Sequence, residues 1–190
     1  MEGKIIILSA PSGCGKSTII KALMERGDLN LRFSVSATNR PPRVGEINGI
    51  HYHFLSDEEF RSHIKSGDFV EHEEVYPGRF YGTLRSEIDS ILASGHNCIL
   101  DIDVEGALNV KNIYGDQAIA IFIAPPSLDE LANRLRLRAT DSESDISKRL
   151  SKAETEMGYE PRFDNTVVND DLTSAIDTVH DTISEFLSKS

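Results

Sequence analysis

The chain has few cysteines and no long apolar run. Cys14 and Cys98 are its 2 cysteines, too few for a disulfide framework, and they suit a reducing compartment. No segment of the sequence approaches the roughly 20 consecutive apolar residues that a membrane-spanning helix requires. An apolar strand pattern begins within a few residues of the N-terminus, which argues against a secretory signal. We therefore expect a cytoplasmic protein without a membrane partner.

Positive charge is also in short supply. Lys and Arg number 20 against 31 Asp and Glu, which gives a formal net charge of −11. Attraction to phosphates dominates nucleic-acid affinity, so no nucleic-acid partner is expected for so acidic a chain. Small nucleotides remain possible ligands where arginines cluster. The 190 residues, 39% hydrophobic and 27% charged, are typical of one globular core with small appended lobes.

The most informative stretch is residues 10–18, Ala-Pro-Ser-Gly-Cys-Gly-Lys-Ser-Thr. It follows the apolar run Ile5–Ser9 and opens a helical pattern, and this order is the layout of a phosphate-binding loop. Backbone N–H groups of such a loop cradle phosphate oxygens, and the following helix adds a partial positive charge. Lys16 is placed to reach the transferred phosphate, and the Ser17 hydroxyl to bind Mg²⁺. The residues expected to bind ATP here are Ala10, Pro11, Ser12, Gly13, Cys14, Gly15, Lys16, Ser17 and Thr18.

One position in this loop departs from the usual pattern, and another carries a thiol. Residue 10 is Ala where Gly is usual, which is acceptable if its φ angle is negative. Cys14 is either a small residue that fits the loop or a thiol whose pKa is lowered by nearby N–H dipoles. Cys98 lies in an apolar run and is expected to pack in the core.

Strand and helix patterns alternate along the chain. Apolar stripes with helical spacing cover residues 84–92, 128–135, 146–157 and 172–187. The alternation predicts an α/β fold with a P-loop NTPase core, a parallel sheet covered by helices on both faces. The predicted strands are Ile5–Ser9, Phe33–Ala37, Cys98–Ile102, Ala118–Ile123 and Thr166–Val168.

Residues 33–83 break this alternation. Asn48-Gly49 predicts a tight hairpin, and Ser56 to Glu59 form a capping box that starts a short helix through Ile64. Residues 69–71 and 79–83 have strand patterns. Together they predict a small, mostly β lobe inserted after the second core strand. A second interruption, the polar stretch 138–145 between two helices, predicts a mobile lid.

A second phosphate site is predicted just after the strand pattern at residue 33. Arg40 and Arg43 flank a Pro-Pro turn, and two arginines at this spacing can hold a doubly charged phosphate through forked hydrogen bonds. Ser36 precedes them, and the hydroxyls of Tyr52 and Tyr81 would complete the cage. A solvated basic turn is the alternative.

Acids and arginines elsewhere suit the same chemistry. Asp101 ends a strand pattern beside the phosphate loop, where it would organise Mg²⁺ through water, and Asp103 either joins it or caps the next helix. Arg134, Arg138 and Arg149 lie beside the predicted lid and would neutralise charge on a moving phosphoryl group, unless they are solvated helix surface. His51 and His53 lack further ligands nearby and are expected to be lobe surface.

Several stretches of the sequence resemble the signature of guanylate kinases. The matches run in family order and cover almost the whole chain. The resemblance implies one guanylate-kinase-like domain, with 1–32, 84–125 and 150–190 as core, 33–83 as GMP-binding lobe and 126–149 as lid. The matching stretches are residues 33–49, 81–83, 99–103, 134–138 and 168–172.

The resemblance also implies roles for individual residues. Ser36 and Glu71 would contact the guanine edge, with Thr83 and Asp103 nearby. A carboxylate accepts from the N1 and N2 donors of guanine, whereas adenine offers it an acceptor at N1. The GMP phosphate would be held by Arg40, Arg43, Tyr52 and Tyr81, the adenine would lie near Asn169 and Asp170, and the transferred group would be stabilised by Lys16, Arg134, Arg138 and Arg149.

The expected reaction is in-line transfer of the γ-phosphoryl group of MgATP to GMP, with dGMP as a second acceptor, giving ADP and GDP. Mg²⁺ enters with ATP. One alternative is a kinase for another nucleoside monophosphate. Another is a non-catalytic guanylate-kinase-like binding module, although such modules lose the phosphate loop. The sequence leaves open whether the protein is a monomer or a homo-oligomer.

Overall fold

The structure, a computed structural model, describes residues 3–137 and 143–189. Within these residues the chain forms two β-sheets and seven α-helices. The strands are β1 (Ile5–Ser9), β2 (Leu31–Phe33), β3 (Ala37–Thr38), β4 (His53–Phe54), β5 (Phe69–Tyr76), β6 (Arg79–Leu84), β7 (Asn97–Asp101), β8 (Ala118–Ala124) and β9 (Asn165–Val168). The helices are α1 (Lys16–Arg26), α2 (Asp57–Ser66), α3 (Arg85–Ala93), α4 (Val104–Tyr114), α5 (Leu128–Leu137), α6 (Glu143–Met157) and α7 (Leu172–Ser188).

The larger sheet is parallel, with strand order β2-β7-β1-β8-β9. Every residue of β1 and β8 is buried, as continuous apolar runs in a sheet covered on both faces should be. Ile6 and Leu8 pack with α1, α5, α6 and α7, while Ile5 and Ile7 pack with α3 and α4. The predicted α/β architecture with helices on both faces is therefore confirmed.

The smaller sheet has strand order β4-β3-β6-β5 and lies within residues 37–84. Its own small core forms around Phe60 of α2, whose ring stacks 4.5 Å from Phe69 and 5.6 Å from Phe80. The predicted capping box starts α2, since Ser56 Oγ accepts from Glu59 N and Glu59 Oε2 accepts from Ser56 N. These contacts give the inserted residues a hydrophobic centre separate from that of the larger sheet.

Two local predictions were wrong. The predicted strand Phe33–Ala37 is split, because β2 ends at Phe33 and β3 begins at Ala37 in the other sheet. Residues 34–36 cross between the two sheets, although Ser34 N still donates to Ile99 O at 3.0 Å. The pattern of apolar residues does not show that the chain passes from one sheet to the other here.

The predicted hairpin at Asn48-Gly49 is instead a turn closed by a bridge between Asn48 and Tyr52. Side chains accept hydrogen bonds from backbone N–H groups that would otherwise pair with a facing strand. Asn48 Oδ1 accepts from Phe54 N, and His51 Nδ1 accepts from Ile47 N. The following strand, β4, pairs with β3.

The carboxyl ends of the parallel strands carry the segments that matter for function. Residues 10–15 follow β1, residues 102–103 follow β7, and Asn169 follows β9. In open α/β sheets this edge is where ligands bind. At the opposite edge, Lys4 Nζ lies 4.8 Å from the ring centroid of Phe186 and donates to Phe186 O, which joins the start of β1 to the end of α7. In the described parts of the chain, no helix is both long and apolar enough to cross a bilayer.

Candidate active site

The loop between β1 and α1 depends on two glycines. Gly13 has φ +101° and Gly15 has φ +88°, a region that other residues rarely adopt. A Cβ atom on Gly15 would lie 2.6 Å from Asn169 Nδ2, and one on Gly13 would lie 2.9 Å from a Leu135 methyl group. Among the described residues Asn30 is the one non-glycine with positive φ, so Ala10 has the ordinary backbone that was expected.

Asn169 ties the end of the sheet to this loop. Its Nδ2 donates to Cys14 O at 2.7 Å, and Arg134 Nη1 donates to Asn169 O at 2.8 Å. Asn169, Asp170 and Arg134 line one cavity with Gly15 and Thr18, beside the phosphate loop. The Cys14 side chain is buried in the hydrophobic core, which favours the packing interpretation over a reactive thiol.

Lys16 and Ser17 both face Asp101 at the end of β7. Lys16 Nζ lies 2.7 Å from Asp101 Oδ1 and donates to Ile102 O at 3.1 Å. The Ser17 hydroxyl donates to Asp101 Oδ2 at 3.5 Å. Hydroxyl and carboxylate oxygens are suitable ligands for Mg²⁺, so Ser17 and Asp101 fit the expected ion. Within residues 3–137 and 143–189 no cluster of three or more His, Cys, Asp or Glu is arranged to hold a metal.

One cleft of about 530 Å³ is lined by the phosphate loop and by Ser36, Tyr52 and Tyr81 of the predicted second phosphate site, whereas Arg40 and Arg43 do not line it. The phosphate loop with Lys16, Asp101 and Asp103 forms one wall. Ser36, Glu71 and Tyr81 lie on the other wall, together with Tyr52. The volume suits a small nucleotide ligand.

Glu71 is one of two buried acids that line this cleft, with only 9% of its surface exposed. The Thr83 hydroxyl, which is fully buried, donates to Glu71 Oε1 at 2.6 Å. A Cβ atom on Gly106 would lie 3.1 Å from Glu71 Oε2, so the glycine lets α4 pack directly on the carboxyl group. Burial raises the pKa of Glu71 to about 7, against the opposing hydrogen bond from Thr83. Asp103 caps α4 by accepting from Gly106 N at 2.8 Å, as one of its two interpretations predicted.

Arg40 is nearly buried, and its guanidinium fork is already occupied. Nη1 and Nη2 donate to the two carboxylate oxygens of Glu46, each at 2.6 Å, and Nε donates to Tyr81 Oη at 3.2 Å. The guanidinium also lies 4.9 Å from the Tyr52 ring centroid. The side chain of Arg43 is exposed, while its backbone N donates to Glu46 Oε2 at 2.7 Å. Arg40 therefore meets the cleft through the two tyrosines rather than with an open fork.

Two of the arginines beside the predicted lid, Arg134 and Arg149, do not line this cleft. Arg134 on α5 contacts backbone carbonyls at residues 169 and 170, and Arg149 lies half-buried on α6. Neither lines the cleft that holds Lys16. Arg138 and residues 139–142 lie outside the described residues. The two lobe histidines have local partners: His51 accepts from Ile47 N, and His53 Nε2 lies 3.1 Å from Glu87 Oε2.

Three acids of this site were not singled out from the sequence. Glu46 lies three residues after Arg43, a spacing that could have suggested a partner for the loop. A hydrogen bond with Asp103 and burial raise the pKa of Glu73, which also lines the cleft. Glu156 of α6 is buried between the apolar positions Ala153 and Met157, and in the described structure its Oε2 has no hydrogen-bond partner. Burial raises the pKa of Glu156 as well.

The sequence and the fold match one family. The guanylate kinase family model matches residues 2–186. The guanylate kinase of Porphyromonas gingivalis strain W83 is 52% identical over 186 residues, which cover 98% of this chain and 99% of that relative. The guanylate kinase of Chlorobaculum tepidum is 50% identical, with 98% of this chain and 94% of the relative covered.

A solved structure gives the same result for the fold. The crystal structure of guanylate kinase from Anaplasma phagocytophilum superposes with a TM-score of 0.76 at 32% sequence identity. The match covers 100% of this chain and 88% of that chain. The likeness thus extends over both sheets and every segment that lines the cleft. The chain belongs to the guanylate kinase family.

Proposed function

We propose that this protein transfers the γ-phosphoryl group of MgATP to GMP, producing ADP and GDP. The observation that carries the proposal is the single cleft that has the Lys16 loop on one wall and Glu71, Tyr52 and Tyr81 on the other. Relatives about half identical over nearly the whole chain bear the name guanylate kinase, which supports the same reaction. A phosphate loop is retained, which disfavours the non-catalytic binding module.

The donor is held at the carboxyl edge of the large sheet. Backbone N–H groups of residues 10–18 and the N-terminus of α1 bind the ATP phosphates, and the adenine lies near Asn169 and Asp170. Lys16 exchanges Asp101 for a phosphate oxygen as ATP enters. Ser17 would hold Mg²⁺ directly, and Asp101 would hold it through water. The ion, when bound, neutralises charge on the phosphates.

The acceptor is held by the smaller sheet. The Glu71 carboxylate accepts hydrogen bonds from N1 and N2 of guanine, with Ser36, Thr83 and Asp103 completing the base site. An ionised carboxylate faces the N1 acceptor of adenine unfavourably, so AMP is rejected. The GMP phosphate is held by Arg40, Arg43, Tyr52 and Tyr81.

Positioning and charge neutralisation account for the catalysis. The attacking oxygen of GMP is already anionic, so no strong general base is needed. Lys16, Arg134, Arg138 and Arg149 neutralise charge on the moving group as the cleft closes. In this assignment residues 33–83 are the GMP-binding lobe and 126–149 the lid. The core comprises 1–32, 84–125 and 150–190. The cytoplasmic location stays a prediction.

A panel of acceptors tests the proposal. ADP formation from MgATP is measured with GMP, dGMP, AMP, UMP and dTMP in a coupled spectrophotometric assay. Rapid turnover is expected with GMP, with dGMP next, and at most about a hundredth of that rate with the others. Equal turnover of AMP or UMP would support a different monophosphate kinase, and no ADP with any acceptor would support the binding module.

A further inference from the structure

We infer that Glu46 is a positioning residue for the acceptor phosphate, because it fixes both Arg40 and the backbone of Arg43. The inference rests on the proposed use of GMP as acceptor. Glu46 is not itself expected to touch the nucleotide. It acts through the side chains that it holds in place.

The contacts of Glu46 are those of a built structure rather than a loose surface pair. Both carboxylate oxygens lie 2.6 Å from Arg40 nitrogens, and Oε2 also accepts from Arg43 N at 2.7 Å. The side chains are largely buried, at 10% exposure for Arg40 and 17% for Glu46. The Arg40 hydrogen bonds lower the pKa of Glu46 to about 2, so its charge persists over the working pH range. Paired, charge-assisted bonds of this kind fix geometry strongly.

Counting the hydrogens on Arg40 shows what remains for a ligand. A guanidinium has five N–H donors. Nε donates to Tyr81, Nη1 donates to Pro41 O and to Glu46, and Nη2 donates once to Glu46. One N–H on Nη2 is therefore left over. Arg40 offers the phosphate a single direct bond, and its main effect is on its neighbours.

The first of those neighbours is Tyr81. Its hydroxyl oxygen accepts from Arg40 Nε, so its own O–H hydrogen points elsewhere. Tyr81 lines the cleft, where that hydrogen can be donated to a phosphate oxygen. Tyr52, which also lines the cleft, has its ring against the Arg40 guanidinium. By clamping Arg40, Glu46 orients both tyrosines.

The second neighbour is Arg43. Glu46 N donates to Arg43 O at 3.0 Å, while Glu46 Oε2 accepts from Arg43 N. Gly45, with φ +87°, allows the tight turn between them. The turn fixes the backbone of Arg43 and leaves its guanidinium exposed toward solvent. Glu46 also balances the charge of Arg40, so Arg43 is the cation that this loop presents to a phosphate.

The opposite role is physically possible and predicts the opposite result. If Glu46 only occupied the place of the phosphate, removing its charge would free the Arg40 fork and strengthen GMP binding. The variant Glu46→Gln keeps the shape of the side chain while it removes the charge. Glu58→Gln is the matched control, since Glu58 is an exposed acid on α2 of the same lobe.

Calorimetric titration with GMP and with guanosine, which lacks the phosphate, tests the inference. For Glu46→Gln we expect the Kd of GMP to rise about tenfold and that of guanosine to stay within about twofold. The KM of ATP should stay within about twofold, and Glu58→Gln should match the wild type. A Kd of GMP that is unchanged or lower overturns the inference. A parallel loss of guanosine affinity also overturns it, because the defect would then be general damage to the lobe.

The wild-type protein separates this inference from the proposed function. If the wild type neither binds nor phosphorylates GMP, the proposed function fails. If the wild type binds GMP and Glu46→Gln binds it equally well, only the role of Glu46 fails.

Discussion

Glu71 is the residue whose charge controls base recognition in the proposed acceptor site. Its carboxyl group is buried against Gly106, and Thr83 donates to it. Asp103 and Glu73 face it and add to the effect of burial, which raises its pKa to about 7. Only the ionised form accepts both guanine donors, so base recognition should weaken as the pH falls through this value.

The pH dependence of guanosine binding measures this effect, because guanosine has no phosphate that titrates nearby. The Kd of guanosine should rise severalfold or more from about pH 8 to about pH 6, since one unit below a pKa leaves about a tenth of the group ionised. Glu71→Gln should bind weakly and without this slope. A flat profile for the wild type would contradict the charge requirement.

Lys16 is predicted to act on the transferred phosphoryl group. Lys16→Ala should lower kcat by about a thousandfold, a loss typical of removing a group that stabilises transition-state charge. GMP affinity should remain near that of the wild type, because the acceptor contacts lie on the opposite wall. Single-turnover kinetics with saturating ATP and GMP give the measurement. Near-normal turnover would refute the role.

At the residue scale, the sequence predicted the positions that bear recognisable chemistry. Gly15, Lys16 and Asp101 do meet at one edge of the sheet. The occupied fork of Arg40 was not predicted, because the spacing of Glu46 from Arg43 suggests only a partner for the loop and does not show that Glu46, one of 31 acids, pairs with Arg40. Glu156 was missed because an acidic residue beside an apolar stripe predicts an exposed position on the helix surface.

At the element scale, buried parallel strands were the easiest elements to predict. A strand covered on both faces must be apolar throughout, so β1 was predicted with its exact bounds, and β7, β8 and β9 within one residue. The prediction of one strand over residues 33–37 was wrong because β2 and β3 belong to different sheets, although only residues 34–36 separate them in the sequence. The hairpin predicted at Asn48 was wrong because side chains, rather than a facing strand, make the hydrogen bonds with the backbone there.

The contact between α7 and the end of α1 gives a pH prediction. His180 of α7 lies 3.1 Å from Asp181 and 2.9 Å from Asp28, and these hydrogen bonds raise its pKa. A raised pKa in the folded state stabilises the protein below the unfolded value of about 6.5, and this contribution disappears as pH rises through the folded pKa.

Urea unfolding of the wild type and of His180→Gln from about pH 5.5 to about pH 8.5 tests the contact. The wild type should be the more stable at the acidic end, and the difference should shrink as pH rises. The difference between the two curves removes contributions from other titrating groups. A difference that is constant or grows with pH would contradict the assignment.

At the scale of the whole molecule, the two sheets have separate hydrophobic centres and share one cleft. From the break in alternation over residues 33–83, the sequence predicted a small, mostly β lobe in this part of the chain. It did not predict which residues cross between the sheets, because that depends on packing distant in sequence. The proposed reaction requires both walls of the cleft. Damage to one sheet should therefore weaken binding of the nucleotide held by that sheet and leave binding of the other nucleotide unchanged.

Phe60 provides the corresponding prediction. It is fully buried and stacks on Phe69 and Phe80 at the centre of the smaller sheet. Phe60→Ala should cost about 3–5 kcal/mol of local stability, as phenylalanine truncations in cores do. GMP affinity should fall sharply while ADP affinity stays close to the wild type in calorimetric titrations. An equal loss of both affinities would show that the two sheets do not behave as separate units.

The contact of Lys4 with Phe186 has a practical consequence for protein engineering. It brings the first strand and the last helix together on the side of the sheet away from the phosphate loop. An affinity tag or fused domain joined before Lys4 or after Phe186 therefore leaves the fold on the side of the sheet away from the phosphate loop. A short linker joining these ends would also make circular permutants feasible, with the nucleotide site left untouched.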